Sequence, residues 1–196
     1  MKALVIGGTG PTGPYLIEGL IQRGYEVAIF HRGTHEIDLP AQVEHIHGDP
    51  HFLETIGEAL GDRRFDLVIA TYGRLRYIAE YMKTRTQRFI GIGGVGLYQG
   101  YMDPKHNPPG GLRVPTPESG PVVTDPELMR FSYLMHTSEQ AVMQAHAQGC
   151  YNATIFRYPM VYGPRQIIPL EWSVIRRILD GRKYIILPDG GLTLET

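Results

Sequence analysis

Short, largely apolar runs recur along the chain, between stretches in which apolar residues return every three or four positions. Ala3–Ile6, Val27–Phe30, Val43–Ile46, Leu67–Ala70, Phe89–Ile92 and Thr154–Phe156 are the short runs. Runs of this length without polar alternation predict strands buried on both faces of a parallel sheet. Between them, Leu16, Ile17, Leu20 and Ile21 fall at helical spacing, with Pro14 where a first turn tolerates it and Gly24 as a stop. Helical potential returns at Leu53–Leu60, Leu75–Met82 and Leu128–Gln148. Strands alternating with helices predict right-handed crossovers, hence an α/β fold: a doubly wound parallel sheet with helices on both faces. From Tyr98 to Pro126 the chain is rich in Gly and Pro, with Pro108-Pro109-Gly110-Gly111 at its centre. It predicts a long loop over the carboxyl edge of the sheet, where such loops often cover a ligand.

With 196 residues, 42% of them hydrophobic and 20% charged, the chain is long and apolar enough to bury a real core. Nineteen Lys+Arg against twenty Asp+Glu leave a net charge of −1, no global field for a polyanion, so nucleic acid is not an expected partner. The single cysteine, Cys150, has neither a disulfide partner nor a metal-ligand spacing around it, so no metal site is expected and a reducing, cytoplasmic setting is. No apolar stretch approaches the length of a membrane span, and no signal peptide is read at the N-terminus.

Gly7-Gly8-Thr9-Gly10-Pro11-Thr12-Gly13 joins the first strand to the first helix and contains both GxxGxxG and GxGxxG. In that place a turn without side chains lets a pyrophosphate approach the backbone, while the helix start presents free N–H groups and a positive dipole end. Gly7, Thr9, Gly10, Pro11, Thr12 and Gly13 are therefore the expected dinucleotide contacts. At the end of the second strand an NAD site usually carries an acid for the ribose 2′-OH; His31-Arg32 stands there instead. Without that carboxylate nothing repels a 2′-phosphate, and Arg32 is able to pair with one, so NADP is preferred and NAD is the alternative cofactor. Asp49, after the third strand, is open to two readings, adenine contact or turn formation. Ala70 and Gly93, at the ends of the fourth and fifth strands, and Pro159 complete the expected cofactor contacts.

These features resemble the short-chain dehydrogenase/reductase superfamily, in its extended or atypical branch, the NAD-dependent epimerase/dehydratase family. The resemblance rests on the glycine turn, Gly48-Asp49, Arg88-Phe89-Ile90 leading into Gly93-Gly94-Val95-Gly96-Leu97-Tyr98, and Arg157-Tyr158-Pro159-Met160-Val161-Tyr162-Gly163-Pro164-Arg165, with Leu187-Pro188-Asp189-Gly190-Gly191 beyond. It implies a Rossmann domain over residues 1–165 and the start of a smaller substrate lobe over 166–196. It also implies an NAD(P)-dependent oxidoreductase or epimerase acting on a small hydroxyl or carbonyl substrate, and a homodimer, although Leu75–Met82 is short for the helix that forms the family's dimer seam.

The family's Ser/Thr, Tyr and Lys, the last two four residues apart, exchange a proton at the substrate oxygen while hydride moves at carbon. Here Gly94 falls at the Ser/Thr position, and the helix offers either Phe131 with Met135 or Tyr133 with Thr137. No lysine occurs between Lys105 and Lys183. Tyr101 and Lys105 have the right spacing, but Pro104 lies between them. Tyr98 and Tyr133 are thus the candidate proton donors, in a non-standard enzyme. A cofactor-binding sensor without turnover is the second reading. A chloroplast stem-loop-binding branch with a similar N-terminal half suggests a third, RNA association through Arg74, Arg76, Arg85 and Arg88.

Overall fold

The computed structural model describes residues 1–71, 75–166 and 170–184. Six strands, β1 (Lys2–Ile6), β2 (Glu26–His31), β3 (Glu44–His47), β4 (Phe65–Ala70), β5 (Thr86–Gly94) and β6 (Asn152–Tyr158), form one sheet in the order β3-β2-β1-β4-β5-β6. Every pair is parallel. The order reverses beside β1, and the crevice outside the carboxyl ends of β1 and β4 is where this topology binds ligands.

The inner strands divide their apolar residues between two cores, because successive side chains point to opposite faces. Ala3, Val5, Val27, Ile29, Leu67 and Ile69 pack with Ile17 and Leu20 of α1 (Gly13–Gln22). Leu4, Ile6, Phe30, Val68 and Phe89 pack against α2 (Leu53–Leu60), α3 (Leu75–Met82) and α4 (Arg130–Ala147), through Ile56, Leu60, Ile78, Met82 and Val142. Burial on both faces explains why β1, β2 and β4 read as continuous apolar runs. The doubly wound α/β architecture expected from sequence is the observed one.

The loop after β5 crosses the carboxyl end of β5 and β6. A lone antiparallel bridge between Tyr98 and Val122 closes it, and Gln99 N–H and Val123 N–H donate to Pro121 and Leu97 carbonyls. Beyond β6, α5 (Leu170–Leu179) carries Trp172, Ile175, Ile178 and Leu179, all substantially exposed. Arg74 and the Leu187–Gly191 segment lie outside the described residues.

Candidate functional site

The turn between β1 and α1 is held open by its glycines, each for a different reason. Gly7 and Gly8 have φ of 94° and 89°, a left-handed conformation that L side chains rarely adopt. A Cβ on Gly13 would sit 1.8 Å from the Gly8 carbonyl oxygen, so the helix start and the strand end meet backbone to backbone. A Cβ on Gly10 would meet no protein atom within 4 Å. Packing demands glycine at 13 and does not demand it at 10.

The first turn of α1 is equally bare. Thr12 makes no side-chain cap, no acidic residue lies in the turn, and Pro14 brings no N–H of its own. Its positive dipole end is not offset by a local carboxylate. Thr71, just past β4, closes the crevice floor by donating from Oγ1 and N–H to the Ile6 carbonyl, at 2.8 and 2.9 Å.

At the end of the crevice where the sequence places an adenosine, Gly7, Thr9, His31, Arg32, Gly33, Thr34, His35 and Pro50 enclose a small cavity of about 70 Å³. His31 is buried and Arg32 exposed on its wall. Asp49 Oδ1 accepts from His51 N–H at 2.9 Å and pairs with His51 Nδ1 at 2.5 Å. Burial alone would raise its pKa, but the His51 hydrogen bonds and the charges of His51 and Arg32 hold it below the ordinary carboxylate value. These are turn-forming contacts. Ala70 is fully buried, so any contact it makes with a ligand goes through its main chain.

At the other end of the crevice, Thr71, Leu75, Ile92, Gly93, Gly94, Leu97, Met135, Ser138 and Glu139 enclose a cavity of about 220 Å³. Met135 fills the space over Gly94: its Cε would lie 2.7 Å from a Cβ there. Gly96 faces Phe131 and Met135 as well. Met135 thus presents a thioether to the end of β5, while Phe131, Tyr133 and Thr137 do not line this cavity.

The polar groups of this end were not singled out from sequence. Ser138 is buried, and its Oγ has no hydrogen-bond partner among the described residues. Glu139 accepts from Arg157 Nε at 3.0 and 3.3 Å, and Arg157 Nη1 donates to Tyr98 Oη at 2.6 Å and to the Glu118 carbonyl at 2.8 Å. Only a helix-periodic reading of α4 from Met135, picking out residues 138 and 139 three and four positions on, would have found the first two. Tyr98 is almost fully buried but lines a second, larger cavity of about 790 Å³ between the 98–118 loop, α4 and the end of β6, as does Pro159. Tyr133 lines neither cavity.

The arginines of the RNA reading are spread over separate contacts. Arg76 lies over Tyr77, Arg85 over Tyr81 and beside Asp62, and Arg88 donates to Asn152 and Thr154.

Solved structures of known proteins share this fold. The chain is similar in structure to the Bordetella bronchiseptica enzyme WbmG in complex with NAD, with a TM-score of 0.72 and 17% identity over 94% of this chain and 61% of that one. It is similar to UDP-glucose 4-epimerase from Thermotoga maritima, with a TM-score of 0.76 and 19% identity over 97% and 67%. For dTDP-glucose 4,6-dehydratase from Bacillus anthracis in complex with NAD, the values are 0.71 and 15% over 97% and 65%. The chain thus spans about three-fifths to two-thirds of the length of these structures. No curated protein matches its sequence. Residues 3–89, which hold the glycine turn, the Arg32 corner and the crevice between β1 and β4, match the NAD dependent epimerase/dehydratase family, and the six-stranded sheet around them is the Rossmann-type fold of these structures.

Proposed function

We propose that this chain binds a nicotinamide dinucleotide, NADP(H) in preference to NAD(H), across its glycine turn, and acts as an oxidoreductase or epimerase on a small hydroxyl or carbonyl compound. The observation that carries the proposal is Gly10, a glycine no protein neighbour requires, placed over an uncapped helix start. A pyrophosphate lying against bare backbone amides accounts for it. Arg32, exposed on the wall of the adenosine-end cavity, would pair with a 2′-phosphate. When bound, the nicotinamide supplies or accepts the hydride.

The chain's own residues must move the proton. Tyr98 accepts from Arg157 and keeps its own O–H to give, and it lines the larger cavity, so it is the candidate over Tyr133. The nucleotide-sugar enzymes among the structural neighbours suggest a sugar-like substrate. A second reading, a dinucleotide-binding sensor without turnover, is supported by one observation: Met135 covers Gly94, and Phe131 and Met135 face Gly96, and none of these side chains exchanges protons.

Titration of the full chain with NADPH and NADH tests the reading. NADPH should bind more tightly. Gly10→Ala should weaken both ligands while the thermal melt stays unchanged, and Arg32→Ala should cost NADPH about tenfold, the loss of one charge-assisted pair, and leave NADH alone. Two silent titrations would overturn the proposal. Tight binding with no cofactor consumed across a panel of carbonyl compounds and nucleotide sugars would favour the sensor, and a Tyr98→Phe variant with full turnover would remove that residue as donor.

A further inference from the structure

Parallel pairing of β2 with β3 sets Ile29 opposite His45 and His31 opposite His47. Side chains two apart on a strand share a face, so three imidazoles gather at one corner of the sheet, on the α1 side and at the edge strand. Gly33, at φ 73°, turns the chain back so that Glu36 reaches the same corner. Glu36 Oε1 lies 3.1 Å from His47 Nε2, Glu36 Oε2 lies 3.6 Å from His45 Nδ1, and His31 Nε2 lies 3.3 Å from His45 Nδ1. The four ligand atoms all fall within 4.8 Å of one another.

The geometry points to a divalent transition-metal site, of the zinc class, formed by His31, Glu36, His45 and His47. Ligand bonds of about 2.0–2.1 Å in a tetrahedron place donor atoms about 3.4 Å apart; the three separations above bracket that value, and the wider ones, up to 4.8 Å, must shorten as an ion draws the side chains in. Three imidazoles and one carboxylate are the donor set that suits Zn²⁺ and its neighbours, whereas Mg²⁺ and Ca²⁺ prefer oxygens alone. One local contact has to change. His31 Nδ1 takes the Gly33 N–H at 3.3 Å, and a metal on Nε2 would leave the imidazole proton on Nδ1, facing that N–H. The existing contact lies beyond the usual N–H···O range, and the peptide that must turn away belongs to a glycine. The site ties edge strand β3 to the loop that carries Arg32, whether or not a dinucleotide binds.

The proposal is tested on the full chain with Co²⁺ and Zn²⁺ alone. Co²⁺ should give the intense visible ligand-field bands of a tetrahedral ion at one equivalent, displaced by Zn²⁺. His45→Ala and His47→Ala, both surface positions on an edge strand, should each lose at least about tenfold in Zn²⁺ affinity, whereas His35→Ala, next to the cluster in sequence but outside it, should bind as the parent does. In the parent, Zn²⁺ should shift the imidazole signals of three of the eight histidines and leave the others in place, a readout that does not depend on any variant folding. Absence of the tetrahedral spectrum in the parent, or full Zn²⁺ affinity in both alanine variants, would overturn the assignment. The first result would leave a hydrogen-bonded Glu–His network, and the second would put the metal elsewhere.

Discussion

Two glycines three residues apart in the same turn serve opposite masters, the protein for Gly13 and its ligand for Gly10. At Gly13 an added methyl meets the Gly8 carbonyl at 1.8 Å, and backbone on both sides leaves nothing flexible to give way. Gly13→Ala should therefore destabilise the fold by about 3 kcal/mol, the upper range of overpacking costs, seen as a lower urea midpoint even without cofactor. An unchanged midpoint would mean that the strand–helix contact is looser than described. His31 makes a second residue-scale prediction. Burial lowers its pKa below the usual value of about 6.5; Glu36 opposes the shift, and His47 and His45 add to it. The folded state then binds fewer protons than the unfolded chain just below that value, so this contribution to stability is complete above pH ~6.5 and declines as pH falls through it. With chelator present to exclude metals, the parent's Tm should fall more steeply below pH ~6.5 than that of His31→Asn. Parallel curves would show that His31 is not the titrating group. The pattern GxxGxxG made the turn legible in sequence, but not which glycine answers to what, since that distinction depends on where the Gly8 carbonyl points.

Among the elements, the central strands β1, β2 and β4 were readable because burial on both faces leaves the sequence no polar alternation. Strand ends were less so: Lys2, Glu26, Asp66 and Arg157 join the ladder, since backbone pairing does not require an apolar side chain. The histidine corner was invisible for a related reason. His31 lies fourteen residues or more from its two partners along the chain, and only the β2–β3 register brings them together. The crowding of Gly94 by Met135 likewise needed the packing of α4 on β5. Arg157 links three of these elements, tying β6 to Glu139 on α4 and to the loop through Tyr98 and Glu118. Both partners of the ion pair are mostly buried, so losing it leaves a carboxylate without its cation. Arg157→Met should cost about 2 kcal/mol, the scale of charge-assisted hydrogen bonds, and should loosen the loop selectively. Trypsin would then cut at the exposed Lys105 and Arg113 well before the sheet unfolds. If cleavage in the variant follows global unfolding alone, the loop is held by other contacts.

On the scale of the molecule, the two ends of the sheet are finished differently. At β3 the edge is short and polar, with Glu44, His45 and His47 exposed, a guard against strand-to-strand association. At β6 the free edge carries seven residues, with Phe156 exposed to 49%, and Met160 and Tyr162 follow it into solvent. Nearby in sequence, α5 presents Trp172 and Ile175 at nearly half exposure, and Ile178 and Leu179 at 68%. The apolar stripe of that helix faces solvent. Contiguous apolar surface of this kind draws partners or copies of itself, and the net charge of −1 supplies little repulsion against it. The 196-residue chain should therefore associate as its concentration rises, detectable by sedimentation velocity. Replacing Ile178 and Leu179 together by Lys should shift the distribution towards monomer with no change in Tm, because neither side chain is part of the core. Association that survives this change would move its origin to the β6 edge, where Phe156→Lys is the corresponding test; a parent that stays monomeric at every concentration would show that the exposed stripe does not drive assembly.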